Sequence, residues 1–177
     1  IVLDNCAGTC GFLISAMKKM ILVANGQKKI IDRIKQKHII GIEFQDDIYT
    51  LAVSNMIVHN DGKSNIILDD CFNENIIKEI RRKFKPNIGF LNPPYAIKKD
   101  DIPEFAFIWN NLDMLQKGGT CIAIIPMSCV LAQTGKMLSW KEKLLKYHTL
   151  EAVMSMPDEL FHNSKVGVVT CVIILTS

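Results

Sequence analysis

Short apolar runs alternate with helical patterns along almost the whole chain, and that rhythm limits the fold more than any other feature. Ile1–Leu3, His38–Ile42, Asn65–Leu68, Ile88–Leu91 and Thr120–Ile125 read as buried strands. Between them, residues recur at helical spacing: Phe12, Leu13, Ala16, Met17, Met20 and Ile21; then a helix from about Asp47 through Met56; then Ile76–Phe84. Glu104–Leu115 reads as a helix capped by Lys117-Gly118-Gly119, with Phe105 off its buried face, and Met137–Lys146 as another. Such alternation predicts an α/β fold, with right-handed crossovers and a doubly wound, mostly parallel sheet covered on both faces. Leu150–Met154 and Val166–Leu175, introduced by Gly167, have no helix between them, which predicts an antiparallel pair at one edge. Asn25–Lys37 lengthens the first crossover and reads as a surface insertion.

With 177 residues, 49% of them hydrophobic, the chain can bury one sizeable core, so residues 1–177 are expected to form one domain or most of one. A net charge of +3 is too small for an autonomous nucleic-acid binder, and the basic stretches Lys28–Lys37 and Arg81-Arg82-Lys83 read as solvated helix faces. The six cysteines form no C-x-x-C pair and sit at no metal-ligand spacing, so no metal is expected. Several lie within apolar runs, and no signal-peptide pattern opens the chain, which suggests reduced thiols and a cytoplasmic setting. The longest apolar run, Cys121–Ala132, is broken by Pro126 and too short to span a bilayer. The chain opens and closes within strands, a pattern expected of a piece of a longer polypeptide.

Chemistry enters at the strand ends. Pro93 and Pro94 lack N–H groups and hold φ near −65°, so the strand before them must stop at Asn92 in a stiff turn. Open α/β sheets place ligands at the carboxyl ends of strands. Asn92-Pro93-Pro94-Tyr95 offers there an amide, unpaired carbonyls and an aromatic face, parts suited to a planar amine. The first strand ends in Asp4-Asn5-Cys6-Ala7-Gly8-Thr9-Cys10-Gly11, whose small residues let backbone N–H groups approach a ligand. No Lys follows the last Gly, so this is not a phosphate-gripping loop. Glu43 ends the second strand, where a carboxylate can accept ribose hydroxyls, and Asp70 ends the third, where one can accept an adenine amine. Together Asp4, Glu43 and Asp70 suit an elongated, adenosine-like molecule carrying positive charge, S-adenosylmethionine rather than a pyrophosphate cofactor.

Asp4–Gly11, Glu43, Asp70 and Asn92–Tyr95, in this order, resemble the motifs of S-adenosylmethionine-dependent adenine-amino DNA methyltransferases. Four stretches narrow the resemblance to modification subunits of type I restriction–modification systems. These are Ile1-Val2-Leu3-Asp4 with Gly8-Thr9-Cys10-Gly11-Phe12-Leu13, then Gly118-Gly119 with Ile124-Ile125-Pro126, then Met156-Pro157-Asp158-Glu159-Leu160-Phe161, then Gly167-Val168-Val169-Thr170-Cys171. The resemblance implies a Rossmann-like, seven-stranded sheet whose last strand is antiparallel, cut here from the family's amino-terminal helical region and carboxyl-terminal helices. It implies catalysis on an adenine flipped from double-stranded DNA. Asn92 and the Pro93 carbonyl would accept from the amine, Pro94 would stiffen the turn, and Tyr95 would stack on the base. Cofactor contacts would come from Asp4, Cys6, Gly8, Thr9, Gly11, Glu43 and Asp70, with Phe107 facing the cofactor's adenine. The implied partners are a specificity subunit and a restriction subunit. The chain departs from the family at Cys10, where Gly is usual, and at Asn5, where Pro is frequent; a positive φ at Cys10 would be strained and would crowd the cofactor. The isolated piece is expected to bind cofactor weakly and turn over little. The same tetrapeptide also suits an RNA base or a protein glutamine, and the departures also suit a scaffold that keeps the fold without activity.

Overall fold

The computed structural model describes residues 1–59, 65–98, 100–157 and 168–177. Seven strands form one sheet: β1 (Val2–Asp4), β2 (Ile39–Glu43), β3 (Asn65–Leu68), β4 (Ile88–Leu91), β5 (Thr120–Pro126), β6 (Thr149–Ser155) and β7 (Thr170–Thr176). Their order is β3-β2-β1-β4-β5-β7-β6. The first five run parallel, and β7 lies antiparallel to both β5 and β6. The mostly parallel sheet with a reversed last strand is therefore as expected. Asp158–Phe161 and Gly167 of the motifs quoted above lie outside the described residues.

Helices cover both faces, because alternate residues of short central strands point to opposite sides. On one face α1 (Gly11–Val23), α2 (Lys28–Lys37) and α3 (Asp46–Val58) bury Leu13, Met17, Ile34 and Met56 against Val2, Ile39 and Ile66. On the other, α4 (Glu74–Lys83), α5 (Glu104–Met114) and α7 (Gly135–Tyr147) bury Ile80, Phe105, Ile108 and Leu144 against Leu3, Ile42, Leu91 and Cys121. The short α6 (Met127–Leu131) follows β5. No disulfide forms; Cys6 is half-buried and the other cysteines are buried, as small apolar groups tend to be. Among the described residues no helix is long and apolar enough to cross a membrane.

Two local expectations are corrected and one is refined. Asn25–Lys37 lies at the surface, and most of it is the helix α2, which packs on α1 through Ile34 while Lys28, Lys29 and Lys37 face solvent. The Gly118 turn does not cap α5, which ends at Met114 with Leu115 already extended. Gly118, at φ +76°, instead turns the chain into β5. Phe105 is not off-face either. At 1% exposure it is core, since α5 is buried on nearly all sides.

Candidate active site

Strand order reverses between β1 and β4, so the turns after these two strands diverge and leave a crevice between them, the usual ligand position in open α/β sheets. The turn after β1 is held by carboxylates. Asp4, 1% exposed, accepts from the Cys6 N–H at 3.0 Å. Glu43, ending β2, accepts from the Gly8 N–H through Oε2 and from the Gln45 N–H through Oε1, each at 2.9 Å. Both Glu43 oxygens thus already hold a backbone amide, and what remains for a ribose is the second acceptor site on each. Gly8 adopts φ +53°, open to glycine without strain. Burial, and then the nearby charge of Glu43, pushes the Asp4 carboxyl up to about 7, against the pull of its Cys6 hydrogen bond.

Cys10 adopts φ +67°, so the left-handed backbone expected to need Gly is present. Its side chain, however, is fully buried in the core beneath α1 together with Ala7 and Leu13. Cys10 is not among the residues that wall the cavity between this turn and Asn92.

Three cavities lie along these turns. The first, about 300 Å³, is walled by Cys6, Asp70, Phe72, Pro94 and Phe107. Phe107 packs edge-on against Phe72 with ring centroids 4.9 Å apart. Asp70 is exposed, and its Oδ1 accepts from the Phe72 N–H at 2.9 Å. The thiol of Cys6 is held protonated by a hydrogen bond with Cys71 and by burial. The second cavity, about 540 Å³, is walled by Asp4, Cys6, Gly8, Thr9 and Gly11 on one side and by Asn92 on the other. The third, about 600 Å³, is walled by Tyr95, Glu104, Pro126, Ser128 and Cys129.

Residues of the Asn92–Tyr95 turn thus face all three spaces. Asn92 is exposed and its Oδ1 accepts from the Tyr95 hydroxyl at 3.3 Å; Pro93 is buried; Pro94 faces the first cavity. Burial, then the charge of Glu104, pushes the Tyr95 hydroxyl up to about 12, so it stays a neutral donor.

A buried amide cluster underlies the crevice and escaped the sequence reading. Asn5 Nδ2 donates to Asn110 Oδ1 at 2.9 Å and to the Phe107 carbonyl at 3.3 Å. Asn111 Nδ2 donates to Asn5 Oδ1 at 2.7 Å and to the Phe90 carbonyl at 3.4 Å, and Asn110 Nδ2 donates to the Cys71 carbonyl at 2.9 Å. The turns after β1 and β3, and β4 just before Asn92, are thereby tied to one helix. Gly89 belongs to this cluster, because a Cβ there would lie 1.8 Å from Asn111 Oδ1. The signal was two adjacent amides within an otherwise apolar helix, which seldom survive burial without partners. Asn5 is therefore not a neutral stand-in for proline. Glu104 and Asp101 were also overlooked. Glu104, 2% exposed, accepts from the Ala96 N–H at 2.9 Å. Asp101 accepts from the N–H groups of Ile97 and Lys98 at 2.8 and 2.7 Å.

The residues predicted from sequence therefore converge: Asp4, Cys6, Gly8, Thr9, Gly11 and Asn92 on one cavity, Asp70, Phe107 and Pro94 on its neighbour, Tyr95 on a third. Glu43 braces the loop from below. A family model described as N-6 DNA methylase matches residues 1–177. The type II restriction enzyme and methyltransferase RM.BcgI of Heyndrickxia coagulans is 39% identical over 177 residues, covering 98% of this chain and 27% of the relative. This chain thus spans about a quarter of that relative's length. The crystal structure of the type I restriction enzyme EcoKI M protein superposes with TM-score 0.83 at 23% identity, over 100% of this chain and 39% of that one. A proposed class I S-adenosylmethionine-dependent methyltransferase from Listeria monocytogenes superposes with TM-score 0.75 at 16% identity, over 99% and 53% respectively. These two likenesses establish the fold, a methyltransferase sheet. With a sequence match over its whole length, the chain belongs to the N-6 DNA methylase family, whose methyl donor is S-adenosyl-L-methionine.

Proposed function

We propose that this chain is the catalytic core of a site-specific DNA adenine methyltransferase, the modification component of a restriction–modification assembly. One observation carries the reading: Asn92 and the glycine-bearing first turn face each other across a single open cavity. The residues fit S-adenosylmethionine. Asp4 is a buried carboxylate with no cation to offset it among the described ion pairs, and a sulfonium ligand would supply one. Phe107 and Asp70 give the neighbouring cavity an aromatic face and an acceptor for an adenine ring and its amine. When bound, the cofactor supplies an electrophilic methyl group.

The chain's own residues do the rest by position. Asn92 Oδ1 and the Pro93 carbonyl accept from the two hydrogens of the target amine, drawing its lone pair out of conjugation with the ring. The Tyr95 hydroxyl, which donates to Asn92 Oδ1, orients that oxygen, and the Tyr95 ring offers a stacking face on the third cavity. No side chain is asked to form a covalent bond. Catalysis then rests on proximity and fixed dipoles. The partners of this reading are double-stranded DNA with its adenine flipped, a specificity subunit and a restriction subunit, in the cytoplasm.

The test is transfer of labelled methyl from S-adenosylmethionine by the full-length parent protein to duplex DNA, RNA and protein side by side. Label in DNA, recovered as N6-methyladenine, is expected. Label confined to RNA or protein, or none with any substrate, overturns the reading.

A further inference from the structure

The loop that follows Tyr95 has a construction that base stacking and cofactor binding leave unexplained. Three successive backbone N–H groups, those of Ala96, Ile97 and Lys98, are each held by a carboxylate, the first by Glu104 and the other two by Asp101. Lys136 Nζ reaches the Asp101 carbonyl at 3.5 Å and pins the far side of the loop. At the apex of this braced loop stands Ile97, 92% exposed, above every other exposed large hydrophobic among the described residues. Exposed apolar side chains are ordinary on surfaces, and several here sit at helix ends, such as Leu22, Val23 and Val58. Ile97 differs in being held out by fixed backbone, two residues from Tyr95 and on the rim of the same cavity.

We infer that Ile97 is a wedge that enters the DNA base stack beside the target adenine and occupies the gap left when that base swings into the cavity next to Tyr95. The inference rests on the DNA methyltransferase reading above. Extruding a base exposes the faces of its former neighbours, and an inserted apolar side chain covers them again. A β-branched side chain suits this, because its χ1 is stiff and it enters with little rotamer entropy to lose. The brace on the backbone supplies the rest of the rigidity. Lys98 and Lys136 flank the apex with positive charge suited to phosphates on either side of the opened step. Of the acidic neighbours, Asp101 is occupied by the backbone and Asp100 is exposed.

The experiment uses the full-length parent protein with its partner subunits and compares it with Ile97→Ala and Ile97→Leu. Two substrates are read: the normal duplex, and one whose target adenine faces an abasic site, where the base pair holding the adenine in the helix is already lost. On the normal duplex Ile97→Ala is expected to lower the single-turnover rate about tenfold or more, with a weaker 2-aminopurine flipping signal. On the abasic substrate its rate is expected within about twofold of the unsubstituted enzyme, and Ile97→Leu is expected to keep most of the duplex rate. Cofactor affinity is expected unchanged in both variants. An Ile97→Ala enzyme that matches the unsubstituted one on the duplex, or loses equally on both substrates, overturns the wedge alone. An unsubstituted enzyme that methylates no DNA overturns the methyltransferase reading and the wedge with it.

Discussion

The turn after β1 and the turn after β4 face one cavity but are built in opposite ways. In the first, the polar side chains are already committed: Asp4 and Glu43 hold backbone amides, and Asn5 is locked into the buried amide cluster. In the second, the backbone is held from outside by Glu104 and Asp101, while Asn92 and Tyr95 keep their functional atoms at the surface. The difference separates two tasks. Under the proposed function the first turn is a shaped cradle for the cofactor, its form set by its carboxylates. The second is a rigid mount for a few exposed groups. Substitutions should therefore divide into those that damage the cradle's stability and those that silence the mount without loosening it.

The largest effect is expected from Asn92→Ala. It removes an exposed acceptor that, among the described residues, holds only the Tyr95 hydroxyl. Turnover by the parent enzyme should fall by about 10²-fold or more, with cofactor affinity within about threefold and melting temperature little changed. Turnover equal to that of the unsubstituted enzyme would refute the division. Next comes Asn5→Ala, on the cradle side, which strips Asn110 Oδ1, Asn111 Nδ2 and the Phe107 carbonyl of a partner. Leaving buried amides unpaired costs on the order of 1–3 kcal/mol per group, so denaturant unfolding should reveal a loss of about 2–4 kcal/mol. A loss below about 0.5 kcal/mol would show that the cluster does not hold the turns.

The last effect concerns pH. The Asp4 carboxyl is raised from 3.8 to about 7, so the folded protein keeps a proton that the unfolded chain has already released. Its contribution to stability is complete below about pH 4, declines as pH rises towards 7, and is gone above that. The slope is at most about 1.4 kcal/mol per pH unit, and Asp4→Asn should flatten it. Ligand-free unfolding followed from pH 4 to 8 in both proteins checks this; identical slopes would place the raised carboxyl elsewhere.

The fold was legible because its signals are local. Short β-branched runs, helical periodicity and the proline pair each declare themselves within a few residues, and together they placed every strand to within a few positions. The motif residues were legible for the same reason, since strand ends carry them in a fixed order. The braces were not. Asn110 and Asn111 acquire meaning only when Asn5, about a hundred positions earlier, comes within 2.7–2.9 Å. Glu104 reads as an ordinary helix-opening acid until its oxygen is found on the Ala96 N–H. Cys10 was half legible. Its backbone strain follows from its place in a glycine turn, but the direction of its thiol depends on the packing beneath α1.

The reversed strand β7 lies between β5 and β6, although the chain makes β6 first. As the polypeptide leaves the ribosome, β6 therefore has no berth until its later neighbour arrives. In that interval β6 is an unpaired ribbon carrying Leu150, Val153 and Met154, which stay exposed even in the finished sheet, the kind of surface that chaperones shield and that adheres to its own copies. The sheet's far edge must assemble last and in one step, so slowing the delivery of β7 should harm yield more than slowing any earlier strand.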